Sequence, residues 1–239
     1  MKLIVAGATG LVGTEIIRQS LQKSEITQVI ALARKPVKID DANSAKLKNV
    51  TVKDYCEYFD EAKAELAGAD ACIWTVAVTP TKSSRSEFAE VKRVCYDCTM
   101  AGFKAIYEAG PARPFRFLYF SGAAVMDDPK AKKPFYLGDY MVMRSETDAM
   151  VRKFPEEYPD VEVCVVRPGL ITNSTTWTNA AVASVFSVTN FFARVIPNVP
   201  LEVISAAVLN QAIAGFEKTV LSNADLVRLG QAALKTTGH

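Results

Sequence analysis

Three glycines spaced by two residues, Gly7, Gly10 and Gly13, directly follow the apolar run Leu3-Ile4-Val5-Ala6. An amphipathic stretch from Leu11 to Gln22 comes next. A buried strand, a tight turn and a helix in that order make a cradle for phosphate. Glycine tolerates positive φ and lets the backbone approach an anion closely. The start of the helix then presents unpaired N–H groups and the positive end of its dipole. This setting predicts a dinucleotide pyrophosphate site contacted by Gly7, Thr9, Gly10, Leu11, Val12 and Gly13. A purely structural turn uses the same glycines, so the flanking strand and helix carry the inference.

An acid about 20 residues beyond such a turn accepts from a ribose 2′-hydroxyl. The second apolar run, Val29 to Ala33, instead ends in Arg34-Lys35-Pro36. Two cations without an acid favour a 2′-phosphate, because charge-assisted bonds to phosphate are strong and arginine's fork suits them. NADP, as NADPH, is therefore the expected cofactor, with Arg34 and Lys35 at its phosphate. A solvated basic loop is the competing use of these two residues.

The chain has one histidine, His239. Serine–histidine, cysteine–histidine and histidine–zinc chemistry are thereby excluded. Acid–base work falls to tyrosine, lysine, arginine or carboxylates, and no metal site is expected. Cys95 and Cys98 form a Cys-x-x-Cys on a predicted helix, without a second ligand pair. The five cysteines lie mainly in apolar runs and read as reduced core thiols of a cytoplasmic protein. The net charge of +2 lacks the basic footprint of a nucleic-acid binder. The short cluster Lys130, Lys132 and Lys133 reads as a solvated loop. No uninterrupted apolar run reaches the roughly 18 residues of a membrane span, and the N-terminus does not read as a signal peptide.

The elements that must position these residues follow from the alternation of apolar runs and amphipathic stretches, the mark of βαβ units. Strands are expected near 2–6, 27–33, 50–53, 71–78, 115–120 and 161–166. A helix is expected over 85–109, with Ser84 and Glu87 as a capping box and both Cys95 and Cys98 facing the sheet. Further helices are expected near 136–153, 179–196, 203–218 and 225–234. The 239 residues suit one α/β domain: a Rossmann-type, doubly wound parallel sheet whose C-terminal third, from about 170, caps the substrate site.

Ser121 ends the fifth expected strand in Leu118-Tyr119-Phe120-Ser121-Gly122-Ala123. Tyr140-Met141-Val142-Met143-Arg144 follows, and the sixth strand ends in Val166-Arg167-Pro168-Gly169. With the N-terminal glycines, these segments resemble the atypical short-chain dehydrogenase/reductase superfamily, in its NmrA-like and epimerase-like branch. The resemblance covers about 1–220. It implies that Tyr140 exchanges a proton with a substrate oxygen, Ser121 positions that oxygen, and Pro168 lies at the cofactor. The family lysine four residues past the tyrosine is replaced by Arg144. Positions i and i+4 share a helix face, so Arg144 keeps a positive charge beside the phenol and favours phenolate. Its rigid fork is a poor copy of the lysine ammonium. Tyr140 as a core-edge side chain, Ser121 as a plain strand end and Arg144 bonded to Asp148 on an exposed helix are the competing uses. Tyr136 is a second candidate proton donor; Asp139, Glu146 and Asp148 are expected to be solvated or helix-pairing.

Three functions follow. The first is an NADP-dependent oxidoreductase acting on a carbonyl or hydroxyl. The others are a non-redox isomerase, epimerase or cyclase on the same fold, and an NADP-binding regulatory protein. Trp177, Phe186, Phe191, Phe192, Val195, Ile196 and Leu201 point to a hydrophobic small-molecule substrate, or to the interface of a homodimer.

Overall fold

The computed structural model describes residues 1–84, 86–123, 125–126, 137–172 and 197–237. Its first strand, β1 (Lys2–Ala6), is almost wholly buried. A continuous apolar run of this kind suits a central strand covered by helices on both faces. The chain then forms α1 (Leu11–Leu21), β2 (Gln28–Ala33), β3 (Leu47–Thr51), α2 (Asp60–Leu66) and β4 (Ala71–Trp74). After a short α3 (Pro80–Ser83) come α4 (Phe88–Lys92), a π-helical turn at Arg93–Asp97, and α5 (Cys98–Glu108). The second half contains β5 (Phe115–Phe120), α6 (Gly138–Arg152), α7 (Phe154–Glu157) and β6 (Val161–Arg167). It closes with β7 (Leu170–Thr172), β8 (Asn198–Pro200), α8 (Leu201–Ala214), β9 (Val220–Ser222) and α9 (Asn223–Thr237).

Seven strands form one sheet in the order β3-β2-β1-β4-β5-β6-β9, and every pair is parallel. Ala6 pairs with Leu32 on one side and Trp74 on the other. Strand order reverses between β1 and β4, and ligands of such sheets bind in the crevice at the carboxyl ends there. One face carries Ile16, Ile17 and Leu21 of α1 with Ile204, Val208 and Leu226. The other carries an aromatic layer in which Phe103 stacks on Phe154 at 3.8 Å and meets Phe117 edge-on at 5.3 Å. Each large apolar side chain buried this fully contributes about 1.5–3 kcal/mol.

The doubly wound fold is the expected one, with local differences. β3 starts at Leu47 and β4 stops at Trp74, because the Thr75 N–H makes the last bond to the Ala6 carbonyl and the chain then turns away. The expected helix over 85–109 is divided by the π-helical turn, and α4 starts at Phe88 without a side-chain cap, so the capping box is not formed. Cys95 and Cys98 are both buried, as the helical spacing requires.

The C-terminal third differs more. Among the described residues, α8 packs its apolar residues into the α1 face and β9 pairs with β6 as a seventh strand, while residues 173–196 of the expected cap lie outside the described set. What remains near the carboxyl edge is a small parallel pair, β7 with β8. Asn223 fastens it, accepting from the Gly169 N–H at 2.9 Å and donating to the Asn198 carbonyl at 3.1 Å. The expected helix 179–196 lies outside the described residues. Among those described, no helix is long and apolar enough to cross a membrane.

Candidate functional site

The glycine turn follows β1 at the switch point of the sheet. Gly7 sits at φ +80°, and a Cβ there collides with Thr75 Oγ1 at the end of β4. Thr75 holds that position by donating to the Ala6 carbonyl at 2.7 Å. A Cβ on Gly13 would meet the Gly7 carbonyl oxygen at 2.5 Å. The turn closes through the Gly10 N–H to the Gly7 carbonyl at 2.8 Å. Thr9, Gly10 and Leu11 are exposed, Leu11 at 54%, while Val12 is half-buried and Gly13 buried. The first N–H groups of a helix have no intrahelical acceptor, and α1 has neither a capping side chain nor an acid in its first turn. This cradle fits a dinucleotide pyrophosphate.

Arg34 and Lys35 leave the carboxyl end of β2 exposed to solvent. Counting along the sequence found no acid here, yet β3 brings one. The Arg34 charge acts on both Asp54 and Tyr55, which follow β3. The Cys56 N–H is the main reason that the Asp54 carboxyl lies below its ordinary range, opposed by some burial and assisted by Arg93. Arg93 donates to Asp54 at 2.7 Å and to Glu90 at 2.8 and 2.9 Å, so one cation is shared by two carboxylates. Tyr55 reaches the Leu32 carbonyl at 3.4 Å, and the same oxygen accepts the Gly7 N–H at 3.1 Å. The loop after β3 thus abuts the glycine turn. The order of strands supplied that proximity, which no local signal announced.

Ser121 and Tyr140 converge on the carboxyl ends of neighbouring strands. Ser121 directly follows β5, and its Oγ is buried without a hydrogen-bond partner among the described residues. A buried orphan hydroxyl costs stability unless something supplies a partner. Tyr140, in the first turn of α6, donates its hydroxyl at 3.0 Å to the carbonyl of Val78, beyond β4. Pro168 is buried just past β6, and its carbonyl accepts the Ala123 N–H at 2.8 Å. Tyr136 lies outside the described residues.

Arg144 takes a different place from the expected one. It is 4% exposed, and its guanidinium donates to the Tyr119 hydroxyl and the Phe120 carbonyl, each at 2.6 Å. It therefore clamps α6 onto the end of β5. The Tyr140 phenol lies above its ordinary pKa of 10.0, because burial outweighs the opposing Arg144 charge. The Arg144 charge favours phenolate in the expected direction, but desolvation is the larger influence. Asp148 is fully buried and accepts from Arg152 and Arg167 at 3.0 and 2.9 Å, so it is helix-pairing, through its i+4 neighbour Arg152, rather than solvated or bonded to Arg144.

The cysteines also depart from the expected reduced set. Cys56 and Cys98 form a disulfide, whereas Cys72, Cys95 and Cys164 are buried free thiols. Sequence could not show this pairing, because the partners stand 42 residues apart on a loop and a helix. Asp54, Cys56 and Cys98 are the group with metal-ligand proximity among the described residues. The bond between the sulfurs and the adjacent Arg93 cation argue against a metal there.

With this geometry in view, the glycine cradle has a family counterpart. A family described as NAD(P)H-binding matches residues 7–192. The chain belongs to that family. The result agrees with the resemblance to the atypical short-chain dehydrogenase/reductase superfamily. Leucinostatins biosynthesis cluster protein T of Purpureocillium lilacinum is 36% identical over 88 residues, which are 37% of this chain and 32% of that protein. Protein FMP52, mitochondrial, of Candida albicans is 28% identical over 111 residues, 46% of this chain and 47% of that one. The match thus spans a third to a half of the curated relatives.

Among solved structures, the PhqB reductase domain from Penicillium fellutanum superposes with a TM-score of 0.69 at 17% identity, over 94% of this chain and 67% of that one. DesIV, a dTDP-glucose 4,6-dehydratase from Streptomyces venezuelae solved with NAD, gives 0.67 at 17% identity, over 100% and 81%. At this identity the likeness speaks for the fold.

Proposed function

We propose that the chain is an NADP-dependent oxidoreductase acting on a carbonyl or hydroxyl of a hydrophobic small molecule. The observation that carries the reading is the buried Ser121 hydroxyl at the end of β5, without a hydrogen-bond partner among the described residues. It lies one strand from the carbonyl that holds the Tyr140 phenol. Bound NADPH supplies a hydride. Ser121 Oγ then donates to the substrate oxygen, which completes its own bonding, while Tyr140 leaves the Val78 carbonyl and gives its proton to that oxygen. Arg144 acts on the reaction through Tyr119 and Phe120, by fixing α6 against β5. The support for NADP is the pair of exposed cations Arg34 and Lys35 at the end of β2, while Asp54 is engaged by Arg93, which Glu90 shares.

The preference for an apolar substrate rests on Trp177, Phe186, Phe191 and Phe192, which lie outside the described residues, and on Leu11 and Leu170, exposed by 54% and 40% beyond the ends of β1 and β6. A homodimer that buries this stretch is the competing use. One observation favours a non-redox reading, as isomerase or regulatory NADP-binding protein: the Arg144 cation is committed to Tyr119 and Phe120 and does not reproduce the family lysine. Titration with NADPH and NADH, followed by turnover of NADPH with a panel of apolar aldehydes and ketones, decides between them. The expected outcome is tighter NADPH binding, steady oxidation, and a loss of about 1.5–3 kcal/mol in Arg34→Ala for one charge-assisted phosphate contact. Equal affinity for both cofactors would end the NADP assignment, and binding without turnover would leave the non-redox readings.

A further inference from the structure

We infer that Cys56 and Cys98 form a reversible thiol-modification site that sets the affinity of the neighbouring cofactor cradle. This inference rests on the cofactor reading above. The disulfide joins the loop after β3 to the first residue of α5, immediately after the π-helical turn Arg93–Asp97. π-Helical insertions concentrate at functional positions. Cys56 is half-buried, so a reductant can reach it, whereas Cys98 is buried.

The surroundings are those of an exchangeable pair. Arg93 places an N–H 3.6 Å from Cys56 Sγ and 3.8 Å from Cys98 Sγ, while the same group bonds Asp54 at 2.7 Å. The Arg93 cation stabilises a departing thiolate and so favours its release, while the Asp54 carboxylate, 3.5 Å from Cys98 Sγ, opposes charge on that sulfur and leaves Cys56 as the better-placed one. The loop held by this bond is the one that touches the cradle. Tyr55, next to Cys56, shares the Leu32 carbonyl with the Gly7 N–H, and its ring meets Trp74 edge-on at 6.0 Å. Asp54, on the other side, lies within the field of Arg34. Breaking the S–S bond removes the covalent tether of Asp54, Tyr55 and Cys56 to α5 and leaves the loop held there by the Arg93–Asp54 pair, so the cradle wall is less firmly preorganised.

The chemistry balances with ordinary cellular reagents. A dithiol delivers two electrons and two protons, the S–S bond breaks to two thiols, and the reductant leaves as its own disulfide. Hydrogen peroxide reverses this, taking up the two electrons and two protons as water.

The test uses the full chain. NADPH affinity is measured by fluorescence titration in glutathione buffers of graded potential, with the Cys56–Cys98 linkage quantified in each sample by peptide mass spectrometry. Affinity should track the linked fraction and fall by about fivefold or more on full reduction, the lower range of typical site-to-site coupling. It should return when peroxide restores the bond. Cys56→Ser should bind at the weaker value in every buffer, whereas Cys95→Ala should respond like the unaltered chain. Affinity that ignores the linked fraction, or a Cys56→Ser protein that still responds, overturns the proposal while leaving the cofactor reading intact. Absence of NADPH binding in both states overturns both.

Discussion

The glycine turn after β1 and the serine–tyrosine cleft after β5 lie on the same edge of one sheet, yet they are specified in opposite ways. The turn is built from consecutive residues whose own chemistry demands its geometry. Gly7 must adopt positive φ and must leave room for Thr75. The cleft draws Ser121 from a strand end and Tyr140 and Arg144 from a helix, across residues 127–136, which lie outside the described set. Its side chains answer to packing, and one of them, Arg144, has turned into the core. A site written in the backbone is therefore readable residue by residue. A site written in side chains depends on what surrounds each of them.

Gly7→Ala should break this contrast most severely. It adds about 1–3 kcal/mol of backbone strain and about 1–3 kcal/mol of overpacking against Thr75. Urea unfolding should shift by most of that sum, with NADPH binding lost. If both were unchanged, the turn would owe nothing to its glycines. The cleft is tested by Tyr140→Phe, which should lower turnover by about 10²-fold with a nearly unaltered melting curve. Full activity would remove Tyr140 from the chemistry.

The pH response follows from the same phenol. Burial raises the pKa of Tyr140 and that of Tyr119, with Arg144 opposing in both cases. A raised pKa means that the protonated form is the folded one. The contribution of both phenols is therefore full below the ordinary value of 10.0 and is lost as pH rises through the raised folded values. Carbonyl reduction should accordingly show no phenol titration across neutral pH. A decline in rate between pH 7 and 8 that vanishes in Tyr140→Phe would contradict the assignment. The smallest effect is expected from Arg144→Lys. A single ammonium cannot hold the Tyr119 hydroxyl and the Phe120 carbonyl as a planar fork does, so stability should drop by about 1.5–3 kcal/mol, one charged hydrogen bond. A variant of unchanged stability and higher turnover would instead show that the lysine reaches the cofactor.

Much of the fold was legible because the central strands are apolar runs, broken only near the start of β5 and β6 by Arg116 and Glu162, and the helices keep their period. The strand ends at Ala6, Ala33 and Phe120 followed directly. In the C-terminal third the helices near 203–218 and 225–234 were legible and appear as α8 and α9, whereas β9, only Val220–Ser222, is too short to carry a pattern. The glycine turn was readable from its spacing together with the apolar run before it and the amphipathic stretch after it. Asp54 and Tyr55 were not, since their nearness to Arg34 arises from β2 and β3 being adjacent in the sheet. The burial of Arg144 and Asp148 was hidden for a related reason: helical spacing shows which residues share a face, but not which face the sheet will cover.

The short β7–β8 pair has an evolutionary consequence. Leu170 to Thr172 and Asn198 to Pro200 lie side by side, clipped by Asn223. The chain therefore leaves and re-enters the scaffold at neighbouring points, and whatever connects them has its ends already closed. Doubling such a connection costs only about 0.6 kcal/mol in closure entropy. A connection entered and left at neighbouring, clipped points places little demand on the scaffold for its own length, so changes of length there are expected to leave the glycine turn undisturbed.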